Sequence, residues 1–224
     1  MNQTEYKLYI DDVIRRVEAA RLKMSQHHIV KIVAVSKYSQ AEDIEKLYRI
    51  GQRAFGENKV QDLEKKAAEL EDLPLEWHFI GNLQKNKINK LLEINPSLFQ
   101  GLDSLELAHE LQKRLAVRDM KLDCLLQINA AKEESKHGVM PEDAIAIYKE
   151  IQKECPNINL KGVMSIGAHS DDKTVVRKSF EITHAIYKQL EGATICSMGM
   201  SGDFELAIEC GSNMIRLGSI LFPS

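Results

Sequence analysis

Several marks of specialised function are scarce in this sequence. It has only four cysteines, Cys124, Cys155, Cys196 and Cys210, and no two of them form a CxxC pair. That excludes a zinc ribbon, and Cys124 and Cys196, inside strand-like runs, read as small apolar residues of a reducing, cytoplasmic protein. A basic excess is also missing. The 30 Lys+Arg face 33 Asp+Glu for a formal charge of −3, which argues against nucleic-acid binding. No apolar run approaches a membrane span, and the polar, acidic stretch Met1 to Asp12 is not an export leader, so no membrane association is expected. The seven histidines are scattered. Their best cluster, His169-Ser170-Asp171-Asp172, reads as a solvated loop, and no metal is expected.

What is present is regular alternation. Hydrophobic content of 44% and charged content of 28% over 224 residues suit a soluble globular protein with a substantial core. Residues 4–26 carry apolar side chains at Tyr6, Ile10, Val13, Val17, Ala20 and Met24, the spacing of an amphipathic helix. The run Lys31-Ile32-Val33-Ala34-Val35 reads as a strand buried on both faces, followed by Ser36 and Lys37. The next helical stretch, 40–50, ends at Gly51. Further strands are expected at 53–56, 76–80, 98–102, 122–128, 160–166, 193–197 and 213–217, with helical spacing between them. Asp103-Ser104-Leu105-Glu106 has the form of a capping box, and Pro141 is expected in the first turn of a helix.

Eight strand-helix units point to two folds. A doubly wound sheet needs fewer units and usually a glycine fingerprint after its first strand, where this chain has Ser36-Lys37-Tyr38. An eight-stranded TIM barrel matches the count. No linker or low-complexity segment breaks the series, so residues 1–224 are read as one (β/α)8 domain. The extra N-terminal helix covers the barrel bottom or completes the outer ring.

In such a barrel the carboxyl ends of the strands converge on one rim, here Lys37, Asn58, Asn82, Asp103, Asn129, Ser165, Ser201 and Arg216. A lysine just past a strand is most often a solvated end-marker. At the mouth of a core, a partly desolvated amine instead becomes a nucleophile for aldehydes. The seventh and eighth strand ends decide between these readings. Ser197-Met198-Gly199-Met200-Ser201-Gly202-Asp203 offers backbone N–H groups and a hydroxyl to an anion, at the start of a helix beginning near Phe204. Arg216-Leu217-Gly218-Ser219 lets amides approach a phosphate closely. A phosphate site facing a first-strand lysine suggests a phosphorylated aldehyde, and pyridoxal 5′-phosphate (PLP) fits. Arg216, lying between them, would keep the pyridine nitrogen unprotonated and weaken the ring as an electron sink.

Five blocks carry a resemblance: Ala34-Val35-Ser36-Lys37, Phe55 to Gln61, Trp77 to Lys87, Ser197 to Asp203 and Arg216 to Ser219. Together they resemble the pyridoxal-phosphate homeostasis proteins, single-barrel relatives of the alanine racemase N-terminal domain (fold type III). The resemblance runs from about Lys31 to Phe222. It implies a Schiff base on Lys37, Arg216 at the pyridine nitrogen, and phosphate held by Ser201, Gly202, Gly218 and Ser219. Asn58 would lie near the cofactor, and His78, Asn82, Lys136 and Ser165 would stand at the rim. Relatives commonly have histidine at the position of Asn82 and glycine at that of Pro223.

The implied function is intracellular PLP homeostasis: a monomeric carrier that buffers free aldehyde and passes PLP to apo-enzymes. A racemase-type PLP enzyme is the alternative, although racemases of this fold add a β-domain and a second acid/base residue. Lys136 and His169 are the candidates here for that second group. A third class is a sugar-phosphate isomerase in which Lys37 acts only electrostatically.

Overall fold

The computed structural model describes residues 3–133 and 135–222; Pro223 lies outside them. Helix α1 (Gln3–Met24) precedes strand β1 (Lys31–Val35). There follow α2 (Ala41–Arg49), β2 (Ala54–Glu57), α3 (Val60–Glu69), β3 (Glu76–Phe79), α4 (Ile88–Ile94), β4 (Leu98–Leu102) and α5 (Leu105–Val117). The second half continues with β5 (Leu122–Ile128), α6 (Ala144–Glu154), β6 (Ile158–Ser165), α7 (Lys173–Tyr187), β7 (Ile195–Ser197), α8 (Phe204–Glu209) and β8 (Met214–Leu217). All eight strands pair in parallel in sequence order, and β8 returns to β1 to close the barrel.

Closure sets the site. Val33 pairs with Arg216 and Ala34 with Leu217. The turn leaving β1 toward Lys37 therefore emerges beside the turn leaving β8 at Gly218. Alternation along β8 sends Met214 inward and Ile215 and Leu217 outward to the helices, as the two buried clusters show. The apolar interior holds Val33, Ala54, Leu98, Leu125, Met164 and Met214. Buried polar groups, His78, Gln100, Ser197 and Arg216, share the barrel with them.

Helix α1 takes the place in the outer ring that follows β8. Arg16 reaches Glu205 of α8 at 2.8 Å and stacks 4.9 Å over the Phe204 ring, and Lys23 pairs with Glu209 at 2.7 Å. Tyr6 donates to the Leu221 carbonyl at 2.7 Å, fastening the helix to the turn after β8.

Two local expectations shift. Pro141 sits in a turn ahead of α6, which starts only at Ala144, so the proline is not in the helix itself. The start of α5 is capped by Ser104, whose side chain accepts from Leu107 N. That places an apolar residue three positions on, where the reciprocal carboxylate of a capping box would have to stand.

Gly162 occupies a register shift between β5 and β6 with φ of +147°, and a Cβ there would lie 1.9 Å from the Ile195 carbonyl oxygen. Gly162→Ala is expected to cost about 3 kcal/mol or more, since backbone strain and backbone overlap act together. Urea unfolding of the two proteins checks this.

Candidate functional site

The end of β1 is held by a buried ion pair. Glu57, fully buried at the end of β2, accepts from Ser36 Oγ and from Lys66 Nζ of α3, both at 2.6 Å. Lys66 Nζ also donates to the Ser36 carbonyl at 2.6 Å. Both polar groups of Ser36 are thus fixed, and with them the direction in which the chain enters Lys37. Glu57 Oε2 is buried and has no hydrogen-bond partner among the described residues. The pair is one-sided in that respect, and such groups are costly to leave alone.

Lys37 itself is exposed, with Nζ 4.9 Å above the ring of Tyr38, which is 88% exposed. The desolvation expected of this amine is absent. It stands at an open mouth, available to a solute.

Arg216 is the opposite case. It is 4% exposed, with Nη1 donating to the Ser197 carbonyl at 3.0 Å and hydroxyl at 2.6 Å, and Nη2 to the Ser165 carbonyl at 2.9 Å. Burial pulls its pKa down to about 10, partly opposed by Asp203 and Cys196, so it stays a cation at neutral pH.

The two turns expected to receive an anion meet at one bond, Gly218 N to Ser201 Oγ at 3.1 Å. Among the described residues the amides of Ser201, Gly202, Ser219 and Ile220 have no acceptor in the protein. A Cβ on Gly202 would meet nothing within 4 Å, and one on Gly218 only Val35 at 3.6 Å, so both glycines leave open space at the cradle. Gly199, at φ +97°, makes the bend that turns these amides round, and a Cβ there would press on Ala207 at 2.7 Å. The helix expected near Phe204 does begin there. Helix α8 has only six residues and Asp203 occupies its start, with Oδ1 taking the Met200 amide at 2.6 Å. Burial pushes the Asp203 carboxyl up, against the pull of the Met200 amide, Arg216 and Lys136.

A single cavity of about 1270 Å³ joins these groups. Lys37, Asn58, Ser201, Gly202, Arg216, Gly218 and Ser219 all line it, as does Asn82. Val35, Ile80, Met164 and Ile166 supply apolar wall. An amine, a buried cation and free amides around an apolar floor suit an aromatic phosphate bearing an aldehyde, so the residues present fit PLP.

The other rim candidates lie elsewhere. His78 is fully buried within the barrel, because alternation along β3 turns it inward one residue before the strand ends. Ser165 is also fully buried, where its Oγ accepts from Thr183 and its carbonyl from Arg216. Lys136 is tied down by Glu133 at 2.8 Å and the Gly167 carbonyl at 2.7 Å. None of the three lines the cavity. His137, beside Lys136, does: it lies 2.9 Å from Asn82 and 3.5 Å from Asp103. Gln127 lines the cavity too, and the inward-facing positions of β5 were the signal for it. The exposed Tyr38, adjacent to Lys37, is a further wall residue that the strand-end reasoning missed.

The chain has recognisable relatives. A protein-family profile described as the alanine racemase N-terminal domain matches residues 10–223. A pyridoxal phosphate homeostasis protein of Helicobacter pylori is 54% identical over 218 residues, covering 97% of this chain and 98% of the relative. Among solved structures, one described as an unknown protein from Bifidobacterium adolescentis superposes with a TM-score of 0.92 at 31% identity, covering 98% and 95% of the two chains. PipY of Synechococcus elongatus, described with PLP bound, gives a TM-score of 0.80 at 32% identity, covering 93% and 98%.

Removing one partner of the buried pair tests how much the mouth depends on it. Lys66→Met is expected to destabilise by about 3–5 kcal/mol, because Glu57 is left charged and buried. The double variant Glu57→Leu/Lys66→Met should recover much of that loss in denaturant titrations.

Proposed function

The chain belongs to the pyridoxal phosphate homeostasis protein family, and we propose that it holds PLP in this cavity as a monomeric carrier and buffer. One observation carries the reading: a single cavity wall brings together a reachable primary amine, a buried cation and a cradle of unpaired amides. Bound PLP supplies an aldehyde that amines attack and a ring that draws electrons. Lys37 Nζ, exposed at the cavity mouth, is the amine that would hold the cofactor through its aldehyde. Ser201 and Ser219 offer hydroxyls, and the amides at 201, 202, 219 and 220 offer N–H groups, to the phosphate. Arg216 is a cation that only donates, so it would disfavour a proton on a pyridine nitrogen held beside it.

That last feature favours holding over turnover. A neutral ring is a poor sink for the electrons of a substrate carbanion, whereas the covalent link to Lys37 is unaffected. The four cysteines are free and buried, which supports a reducing, cytoplasmic setting. Among the described residues no helix is long and apolar enough to cross a membrane. Apo-enzymes that need PLP are the natural recipients.

Incubation with PLP, borohydride reduction and peptide mapping should place one adduct on Lys37, and Lys37→Ala should carry none. Reduction scattered over surface lysines would overturn the assignment. Ser201→Ala should weaken PLP binding about tenfold, the loss of one charge-assisted hydrogen bond. Transfer to a PLP-free enzyme, timed against free PLP, tests the carrier role.

A further inference from the structure

A continuous chain of hydrogen bonds crosses the barrel interior from Arg216 to the opposite, amino-terminal face. Arg216 Nη1 donates to Ser197 Oγ at 2.6 Å, and Ser197 Oγ donates to Gln100 Oε1 at 2.7 Å. Gln100 Nε2 donates to His78 Nδ1 at 2.9 Å. His78 Nε2 donates to Glu76 Oε1 at 2.8 Å, and Glu76 also pairs with Lys31. Ser197, Gln100 and His78 are fully buried, and of the members from Arg216 to Lys31 only Arg216 lines the large cavity.

The direction of every bond is forced by chemistry. A guanidinium only donates, so Ser197 Oγ must accept from Arg216 and direct its own proton at Gln100. The Gln100 carbonyl is then used, and its amide gives one proton to His78 Nδ1 and faces Met214 Sδ at 3.4 Å with the other. His78 is left as the neutral ring with its proton on Nε2, aimed at Glu76. Burial lowers the His78 pKa, and the His78 and Lys31 bonds hold the Glu76 carboxyl at about 2, so both charge states agree with this order. Each donor leans from the cation toward the anion.

A barrel of this size is normally filled by branched apolar side chains, and a polar chain through its centre gains little stability over them. We propose that Ser197, Gln100 and His78 are positioning residues for Arg216, fixing which edge of the guanidinium faces the cavity and hence its bond to the ring nitrogen of PLP. The inference rests on the PLP-holding function proposed above. Without the Ser197 hydroxyl, Arg216 keeps only two carbonyl acceptors, one on each terminal nitrogen, and its plane is less fixed.

Two measurements test it, and the first needs no cofactor. Nitrogen-15 NMR of histidine-labelled protein without PLP should show His78 neutral with its proton on Nε2. A proton on Nδ1, or a charged ring at neutral pH, overturns the chain whether or not PLP binds. The second compares Ser197→Ala and Gln100→Leu with the wild type after loading with PLP. Both should still yield the reduced Lys37 adduct, but with a displaced absorbance band and about tenfold weaker retention, a loss of one well-placed hydrogen bond to a charge. Gln100→Leu touches neither Arg216 nor the cavity, so its effect must travel through Ser197. Wild-type absorbance and retention in both variants would overturn the proposal. If the wild type takes up no PLP, the functional reading fails, and the His78 proton position still decides the chain.

Discussion

The pairing of the first strand with the last is the constraint on which everything else rests. Lys37 and Gly218 lie at opposite ends of the sequence, and only the register of Val33 with Arg216 and Ala34 with Leu217 makes them neighbours. Closure also removes the unpaired edges an open sheet would leave, and it forces alternate residues into a packed interior. Arg216 is inward for that reason, and the turn that follows it is at the mouth for the same reason. The Glu57–Lys66 pair then finishes the job at the first strand by fixing Ser36 on both its hydroxyl and its carbonyl. The amine is therefore anchored at its root and free at its tip.

This combination matters for the chemistry. A carrier has to form its covalent link and reverse it, and an amine standing at an open mouth can be reached by water and by a competing amine. In the proposed function, the turns after β7 and β8 complement that amine by offering donors to a phosphate. The groups these turns present to the cavity are backbone amides and the hydroxyls of Ser201 and Ser219. Arg216 contributes a permanent charge deep in the cavity, where the low dielectric strengthens its field.

Much of this was legible in the sequence, and the reasons are specific. The apolar runs matched strands β4 and β5 to the residue, because leucine or isoleucine closes both ends of Leu98–Leu102 and Leu122–Ile128 and the polar Gln100, Asp123 and Gln127 stand singly between apolar neighbours. The turns that line the cavity after β7 and β8 were legible because small residues cluster there, a pattern that depends only on local turn chemistry. What stayed hidden depends on three-dimensional context. The exposure of Lys37 is set by the width of the mouth. His78 turns into the barrel and Ser165 outward to Thr183 of α7, as strand alternation dictates, and a shift of one residue goes unnoticed in a linear reading. The tethering of Lys136 by Glu133 and Gly167, and the arrival of His137 at the cavity, are properties of a long loop whose path no periodicity specifies. The interior chain from Arg216 to Glu76 joins residues of four strands, so no spacing could announce it.

The most direct measurement is a crystal structure of the protein grown with PLP. The account requires electron density running unbroken from Lys37 Nζ into the cofactor, with its phosphate against Ser201, Gly218 and Ser219 and its ring nitrogen facing Arg216. A phosphate bound anywhere else, or a free Lys37 beside an ordered cofactor, would contradict it.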